Sequence, residues 1–359
     1  MAKDSLVSRL IKSSTVKLTN TMDKTDIYKG KRVISTNIPA INIALSGEID
    51  GGFKGGVGII GGPSRHFKSG ILLVLAASFM KKYDDGVVIF YDSEHGMNQE
   101  MFESYGVDTS RLIHTPVMNL EELRTDIMNQ LQNVERGDNV MFIVDSTSNL
   151  PSIKETEDSI EGKNVADFSK AKVLKSIFRL ITPILSVKDI PFVAVSHTYD
   201  TMEIYSKQVL SGGKGQMYAS DWCILLGRQQ EKEGTEITGY NFIMNIEKSR
   251  MVKEKSKVPL EVRFDGGISK WSGLLDIAID VGVVIKPSNG WYSRVDDDGV
   301  IEEKKWRAKD TNCAEFWKPI LTSPTFQKLV KEKYKLSATK SMISYDEVDL
   351  ESDEEVEEE

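Results

Sequence analysis

The sequence predicts an α/β protein with a mostly parallel, twisted sheet, an N-terminal helical arm and a small C-terminal α/β region. Three observations carry this. Short apolar segments alternate with helical ones from about residue 33 to 270. A glycine-rich turn ending in Lys-Ser joins the first apolar segment to an apolar helix. The next three apolar segments, at 86–92, 139–145 and 191–197, end in carboxylates or an imidazole. Parallel neighbours need a crossover connection, and a helix is the usual one, so alternation of this kind reads as a doubly wound sheet.

The first 22 residues read as a separate amphipathic helix, with Leu6, Val7, Leu10 and Ile11 on one face. Lys3, Arg9, Lys12 and Lys17 accompany them, and the polar connector DKTDIYKGKR follows. A short terminal helix buries little alone, so this face needs a surface, either its own body or the next subunit. Strands are expected at 56–62, 86–92, 139–145, 191–197 and 222–227, all short and rich in β-branched or aromatic residues. Helices are expected at 119–136, opened by an Asn119 cap, and at 166–188. Residues 240–247 alternate at Phe242, Met244 and Ile246, as a half-exposed strand does. Residues 271–336 read as a small C-terminal unit with helices near 273–281 and 313–334.

The strand at 56–62 runs into Gly62-Pro63-Ser64-Arg65-His66-Phe67-Lys68-Ser69-Gly70. This is the phosphate-loop pattern G-x-x-x-x-G-K-[ST], with Phe67 in place of the second glycine. Such a loop turns backbone N–H groups inward around a phosphate, at the positive end of a helix. Lys68 would reach the β/γ-phosphates and Ser69 would hold Mg²⁺. Phe67 is compatible with this if its ring turns away into the core.

Sites on parallel sheets lie at the carboxyl ends of strands. Here those ends carry Glu94, within Ser93-Glu94-His95-Gly96, then Asp145 and His197. Asp145 follows an apolar run and suits Mg²⁺ coordination. Glu94 could orient or deprotonate an attacking water. His197 opens a polar stretch and is placed to sense a γ-phosphate.

The net charge is −8, but Asp346–Glu359 holds ten carboxylates and no Lys or Arg. With that tail set aside the remainder carries +2, so the sign of the whole does not exclude a nucleic-acid partner. The tail, residues 337–359, is expected to be disordered, serving solubility or competing with DNA for a basic surface. Cys223 and Cys313 allow no disulfide framework and no cysteine-rich zinc site. No apolar run approaches the ~20 residues of a spanning helix, and the N-terminus lacks a secretory pattern, so a cytoplasmic location without membrane contact is expected.

The order of these motifs resembles the RecA-family recombinases, and most closely the UvsX-type recombinases of tailed bacteriophages. The resemblance runs over about residues 1–336. It includes the loop G-P-S-x-x-F-K-S, YDSEHG (91–96), HTPVMNLEELR (114–124), EKSR (247–250), FDGGIS (264–269), SGLLD (272–276) and NGWYS (289–293). The resemblance implies a RecA-type core over 31–270, flanked by a subunit-linking arm at 1–30. It implies ATP and Mg²⁺ as cofactors, with Glu94 as the catalytic glutamate and Lys68 and His197 beside it. Lys248 and Arg250 look like the basic pair that reaches ATP on a neighbouring subunit. Where the family stacks a tyrosine on adenine, this chain has Met101.

Two DNA-binding loops are implied, at about 150–166 and 198–216. The first is acidic, so the basic candidates lie on the helix after it: Lys172, Lys175 and Arg179, spaced along one face. The second offers Lys207, Gly212, Gly213 and Lys214. Implied partners are single- and double-stranded DNA, further copies in a helical filament, a single-strand-binding protein and a filament-loading mediator. The implied setting is the host-cell cytoplasm. The expected function is ATP-dependent strand exchange. The rivals are a hexameric helicase of the same core fold and a nucleotide-binding scaffold without chemistry.

Overall fold

The computed structural model describes residues 5–25, 27, 31–163, 169–201, 208–233 and 236–336. The acidic tail and Lys207 lie outside them. Helix α1 (Leu6–Ser13) is capped by Ser5, whose hydroxyl accepts from the Ser8 amide. It is shorter than expected. Ser13, Ser14 and Thr15 follow its apolar stretch, and such hydroxyl side chains compete for the helix's own backbone hydrogen bonds. Leu6 and Leu10 are about three-fifths exposed (61% and 60%), so within one chain the apolar face stays uncovered.

Helix α2 (Pro39–Ser46) is wholly buried and precedes β1 (Gly56–Gly62), which feeds α3 (Lys68–Lys82). Then come β2 (Val87–Asp92), α4 (Gln99–Ser104), β3 (Leu112–Pro116), α5 (Leu120–Asn133) and β4 (Val140–Asp145). After α6 (Ile153–Ile160) and α7 (Ser169–Lys188) the chain forms β5 (Pro191–Asp200), β6 (Gln208–Leu210), α8 (Gly215–Ala219) and β7 (Trp222–Glu233). The long hairpin partner β8 (Glu236–Ser249), then β9 (Lys257–Arg263) and β10 (Gly267–Ile268), complete the sheet.

The strand order is β10-β9-β8-β7-β1-β5-β4-β2-β3, with β6 paired to β5. From β7 to β3 all neighbours are parallel; β8, β9 and β10 extend one edge antiparallel. One face is covered by α2 and α3 through Ile41, Leu72, Leu75 and Phe79. The other is covered by α5 and α7 through Leu123, Ile127, Ile177 and Phe178. With both faces buried, β1, β2, β4 and the first part of β5 can be apolar throughout, which is how they read in the sequence.

Besides α1, and β7, which runs on to Glu233 rather than ending at 227, three expectations change in detail. The segment at 150–166 contains α6, because Ser152 and Glu155 form a reciprocal capping box that starts a helix there. The strand expected to end at 197 continues to Asp200, where Thr198–Asp200 pair with β6. The single helix expected at 313–334 is two, α10 (Ala314–Thr322) and α11 (Pro324–Tyr334). Pro324 lacks an N–H and sits best in a first turn, and Ser323 caps that turn by accepting from the Phe326 amide.

The C-terminal region also holds α9 (Leu274–Asp280) and a small antiparallel sheet of β11 (Val284–Ser288), β12 (Trp291–Arg294) and β13 (Trp306–Arg307). Its Phe316, Trp317 and Phe326 belong to the same apolar cluster as Val258 and Leu260 of β9. Glu48, just after α2, accepts from Lys335 at 2.8 Å and pairs with Lys331 at 3.2 Å, tying α11 back to the core.

Candidate active site

The carboxyl ends of β1, β2, β4 and β5 converge. Register sets Gly62 beside His197 and Asp92 beside Asp145. The phosphate loop leaves β1 and enters α3 with Arg65 and Phe67 both at φ 60°. That left-handed conformation is why a glycine suits position 67. Phe67 adopts it nonetheless, with its ring turned onto Phe242 at a centroid separation of 5.5 Å. No side chain caps α3, so its first-turn amides are left for a ligand. Arg228 donates to the Arg65 carbonyl at 3.2 Å and steadies the loop from β7. His66 folds its Nδ1 onto the Ser64 carbonyl at 2.9 Å.

Lys68 is buried, and its Nζ donates to the Pro63 carbonyl at 2.7 Å and meets His197 Nδ1 at 3.4 Å. Among the described residues it has no ion pair. Burial pushes its pKa down, opposed by the more distant charges of Asp145 and Glu94. A buried ammonium held by neutral partners is a site for an anion.

Ser69 Oγ donates to Asp145 Oδ2 at 2.5 Å. Burial pushes the Asp145 carboxyl up to about 6, and Glu94 and Asp92 push the same way against Ser69 and Lys68. A half-buried hydroxyl in contact with a buried carboxylate fits a hard divalent cation. Ser69 and Asp145 would hold Mg²⁺ in such a site.

Glu94 Oε1 accepts from Ser146 Oγ at 2.9 Å and from His197 Nε2 at 3.0 Å. His197 thus spans Lys68 and Glu94. Lys68 donates to Nδ1, so the proton belongs on Nε2 facing Glu94, an assignment made from the network. The turn bearing Glu94 is built by Asp92, whose Oδ1 accepts from the Glu94 and His95 amides at 3.0 and 2.7 Å. Asp92 Oδ2 takes His114 Nε2 at 3.0 Å. Sequence reasoning missed Asp92, Ser146 and Arg228; the first was visible as a second carboxylate at a strand end, the others only through tertiary contact.

Other expected residues fall as follows. Met101 lies in the first turn of α4, half-buried and packed on the core, its amide bonded to the Asn98 side chain at 3.0 Å. Lys248 does not project freely: its Nζ donates to the carbonyls of Met217 and Tyr218 at 3.0 and 2.7 Å, at the end of α8. Arg250 is 71% exposed, with Nε 2.8 Å from Asp221 Oδ1. Lys172, Lys175 and Arg179 are all exposed on α7, while Lys170 turns inward onto the Ser148 carbonyl at 2.6 Å. Gly212 and Gly213 hold φ 79° and 85° in the turn before α8, and Lys214 is exposed at its N-cap. At Gly212 a Cβ would lie 2.3 Å from Leu174, so this turn sits hard against α7. No helix among the described residues is long and apolar enough to cross a membrane.

Residues 4–269 match the RecA N-terminal domain family. Residues 271–330 match the family described as the C-terminal domain of the bacteriophage T4 recombination and repair protein. The "Recombination and repair protein" of Enterobacteria phage T4 is 49% identical over 341 residues, which cover 94% of this chain and 87% of the phage protein. Protein RecA of Corynebacterium urealyticum is 26% identical over 261 residues, 71% of this chain and 68% of that protein. Protein RecA of Streptomyces rimosus is 26% identical over 264 residues, 73% of this chain and 68% of that protein.

Proposed function

Because this chain belongs to the RecA family of recombinases and DNA-dependent ATPases, in its UvsX-type phage branch, we propose that it is an ATP-dependent strand-exchange protein that assembles as a helical filament on single-stranded DNA. The observation that carries the nucleotide reading is Lys68, a buried ammonium without a carboxylate partner among the described residues, at the mouth of the phosphate loop. In this reading the residues from Gly62 to Gly70 wrap the phosphates, with Ser69 and Asp145 holding Mg²⁺, which offsets phosphate charge. Glu94 orients the attacking water and takes its proton. His197 exchanges its contact with Lys68 for the γ-phosphate and so relays the state of the nucleotide to the segment after β5. Met101 flanks the adenine.

Arg250, exposed beside the end of β8, serves the nucleotide of a neighbouring copy, with Lys248 beside it. The arm of α1 covers its apolar face on the next subunit. Single-stranded DNA lies along the exposed Lys172, Lys175 and Arg179 of α7 and the segment around Lys207, Gly212, Gly213 and Lys214. Base pairing between the held strand and an incoming duplex then tests homology, while the phosphate contacts supply affinity. Partners of the same process are a single-strand-binding protein and a filament-loading mediator, in the host-cell cytoplasm.

The test is ATP hydrolysis with and without single-stranded DNA, for the wild type and Lys68→Ala, with electron microscopy of the products. Stimulation by DNA, lost in the variant, together with helical filaments is the expected result. Closed rings that unwind a fork would replace this reading with a helicase. Filaments without hydrolysis would leave a DNA-binding scaffold.

A further inference from the structure

We infer that Gln216 is a positioning residue that passes the state of the segment before it to the phosphate side of the active site. This rests on the reading of 198–216 as a DNA-binding segment. Gln216 lies in α8 and is fully buried. Its Nε2 donates to Ser196 Oγ at 3.0 Å and to the Ser211 carbonyl at 2.7 Å. Its Oε1 accepts from Thr147 Oγ1 at 3.4 Å.

The three partners sit on three elements that the site depends on. Thr147 is two residues beyond Asp145. Ser196 precedes His197 on β5. Ser211 begins the turn that leaves the β5–β6 hairpin. The network continues to His197 itself. Ser196 Oγ lies 3.1 Å from Ser148 Oγ, which accepts from the His197 amide at 2.6 Å. The Ser211 amide donates to the His197 carbonyl at 2.8 Å. His197 is therefore gripped through its backbone by groups that Gln216 joins, while its ring spans Lys68 and Glu94.

A methionine or leucine would fill the space under α8 as well as glutamine does. Glutamine is the costlier choice unless its geometry is used, because a buried amide must keep its donors and acceptor paired. It cannot slide by degrees, because each buried polar atom left without a partner carries a desolvation cost that no contact repays. α8 is short and follows that segment directly through Gly212 and Gly213, so a displacement of the segment would bear on the Gln216 amide. A change there either keeps the amide's partners together, carrying Ser196 and His197 along, or breaks the set. Such an element has two arrangements rather than a continuum.

The test compares DNA-stimulated and DNA-free ATP hydrolysis, ADP affinity and thermal melting, for the full chain with Gln216→Met, Ser196→Ala and Thr147→Val. Gln216→Met keeps the volume and is expected to cut the stimulation ratio by about tenfold, with DNA-free rate and ADP affinity within about twofold. Combined with Ser196→Ala, it should lose less than the product of the two single effects. If Gln216→Met melts early, Ser196→Ala removes one hydroxyl and poses the same question. An unchanged ratio in all three variants overturns the inference, as does a ratio that falls only in step with ADP affinity. Photo-crosslinking of single-stranded DNA to the wild type separates the premise. DNA that avoids 198–216 sinks the DNA-binding reading and the inference with it, whereas labelling there with an unchanged ratio sinks the inference alone.

Discussion

The Phe67 ring lies across Gly70: a Cβ built on Gly70 would sit 2.5 Å from the ring's Cζ and 2.7 Å from its Cε atoms. A small residue at 70 therefore makes room for a large one at 67, where phosphate loops of this pattern carry glycine. The ring is held between Gly70 and Phe242 and kept out of the cradle. Gly70→Ala should force the ring off this seat, costing about 1–3 kcal/mol of stability as overpacking does and weakening nucleotide binding. Phe67→Gly removes the ring and should suppress the effect of Gly70→Ala. Chemical denaturation of the two single variants and the double variant measures the coupling. Additive effects would show that the two positions are independent.

Asp145 gives a pH dependence with a definite sign. Its folded pKa is raised from 3.8 to about 6, chiefly by burial. The fold therefore prefers the protonated acid, and metal-free stability falls as pH rises across that window, then levels off. The full term is of order 3 kcal/mol. Asp145→Asn removes it, so the stability of the variant relative to wild type should climb between pH 4 and 6.5, roughly the interval of the shift. Urea melts in a chelator check this; a difference that does not vary with pH refutes it. Mg²⁺ added above that window should stabilise the wild type and not the variant.

Glu48 behaves in the opposite sense. Hydrogen bonds from Lys335 hold its pKa below the usual carboxylate value, with burial opposing and Lys331 assisting. Its contribution is present above the unfolded value of about 4.5 and lost as pH falls through the depressed one. Glu48→Gln should cost no more than about 1 kcal/mol at neutral pH and little in acid. Gly47 beside it should matter more. It sits at φ 73°, and a Cβ there would be 2.7 Å from the Lys335 backbone. Gly47→Ala should loosen the end of α11 at every pH, read as faster amide exchange in residues 324–336.

How far the sequence spoke depends on what each element buries. β1, β2 and β4 are covered on both faces, so they read as apolar runs and were found within a residue or two of their ends. β3 lies at the sheet edge with Ile113 and His114 exposed, and gives neither an apolar run nor an alternation. The helix α6 is acidic, with no buried residue, so only its capping box marked it. For the site, Lys68 and Ser69 were legible because they open a helix, and Asp145, Glu94 and His197 because each stands at or just past the end of an apolar run. The intramolecular grip on Lys248 was not. Its partners are carbonyls, which belong to no residue type and leave no trace in the sequence.

Lys248 and Arg250 should therefore separate when mutated. Lys248→Ala leaves the last carbonyls of α8 without their donor and should cost about 1–2 kcal/mol of monomer stability, as well as activity. Arg250→Ala removes an exposed side chain and should leave monomer melting nearly unchanged. If Arg250 completes the site of a neighbouring copy, the variant should hydrolyse ATP slowly alone and recover when mixed with Lys68→Ala. Each protein then supplies the part the other lacks. Absence of recovery in mixtures that still form filaments would place Arg250 outside the neighbour's site.

The basic face of α7 gives a prediction in salt rather than in pH. Phosphate contacts release counterions, so the logarithm of affinity falls linearly with the logarithm of salt concentration. On single strands each phosphate neutralised adds about 0.7 to that slope. Lys172, Lys175 and Arg179 are exposed, one helical face apart from the inward-turned Lys170. Replacing all three by alanine should flatten the slope by roughly 2 and weaken binding of every sequence alike. Lys170→Ala should act differently. It breaks the bond to the Ser148 carbonyl, two residues from Ser146 and next to the Ser196 contact, so its effect should fall on hydrolysis more than on the salt slope. Fluorescence anisotropy over a salt series distinguishes them. A triple variant with an unaltered slope would move the strand off α7 and leave the segment before α8 as its main contact.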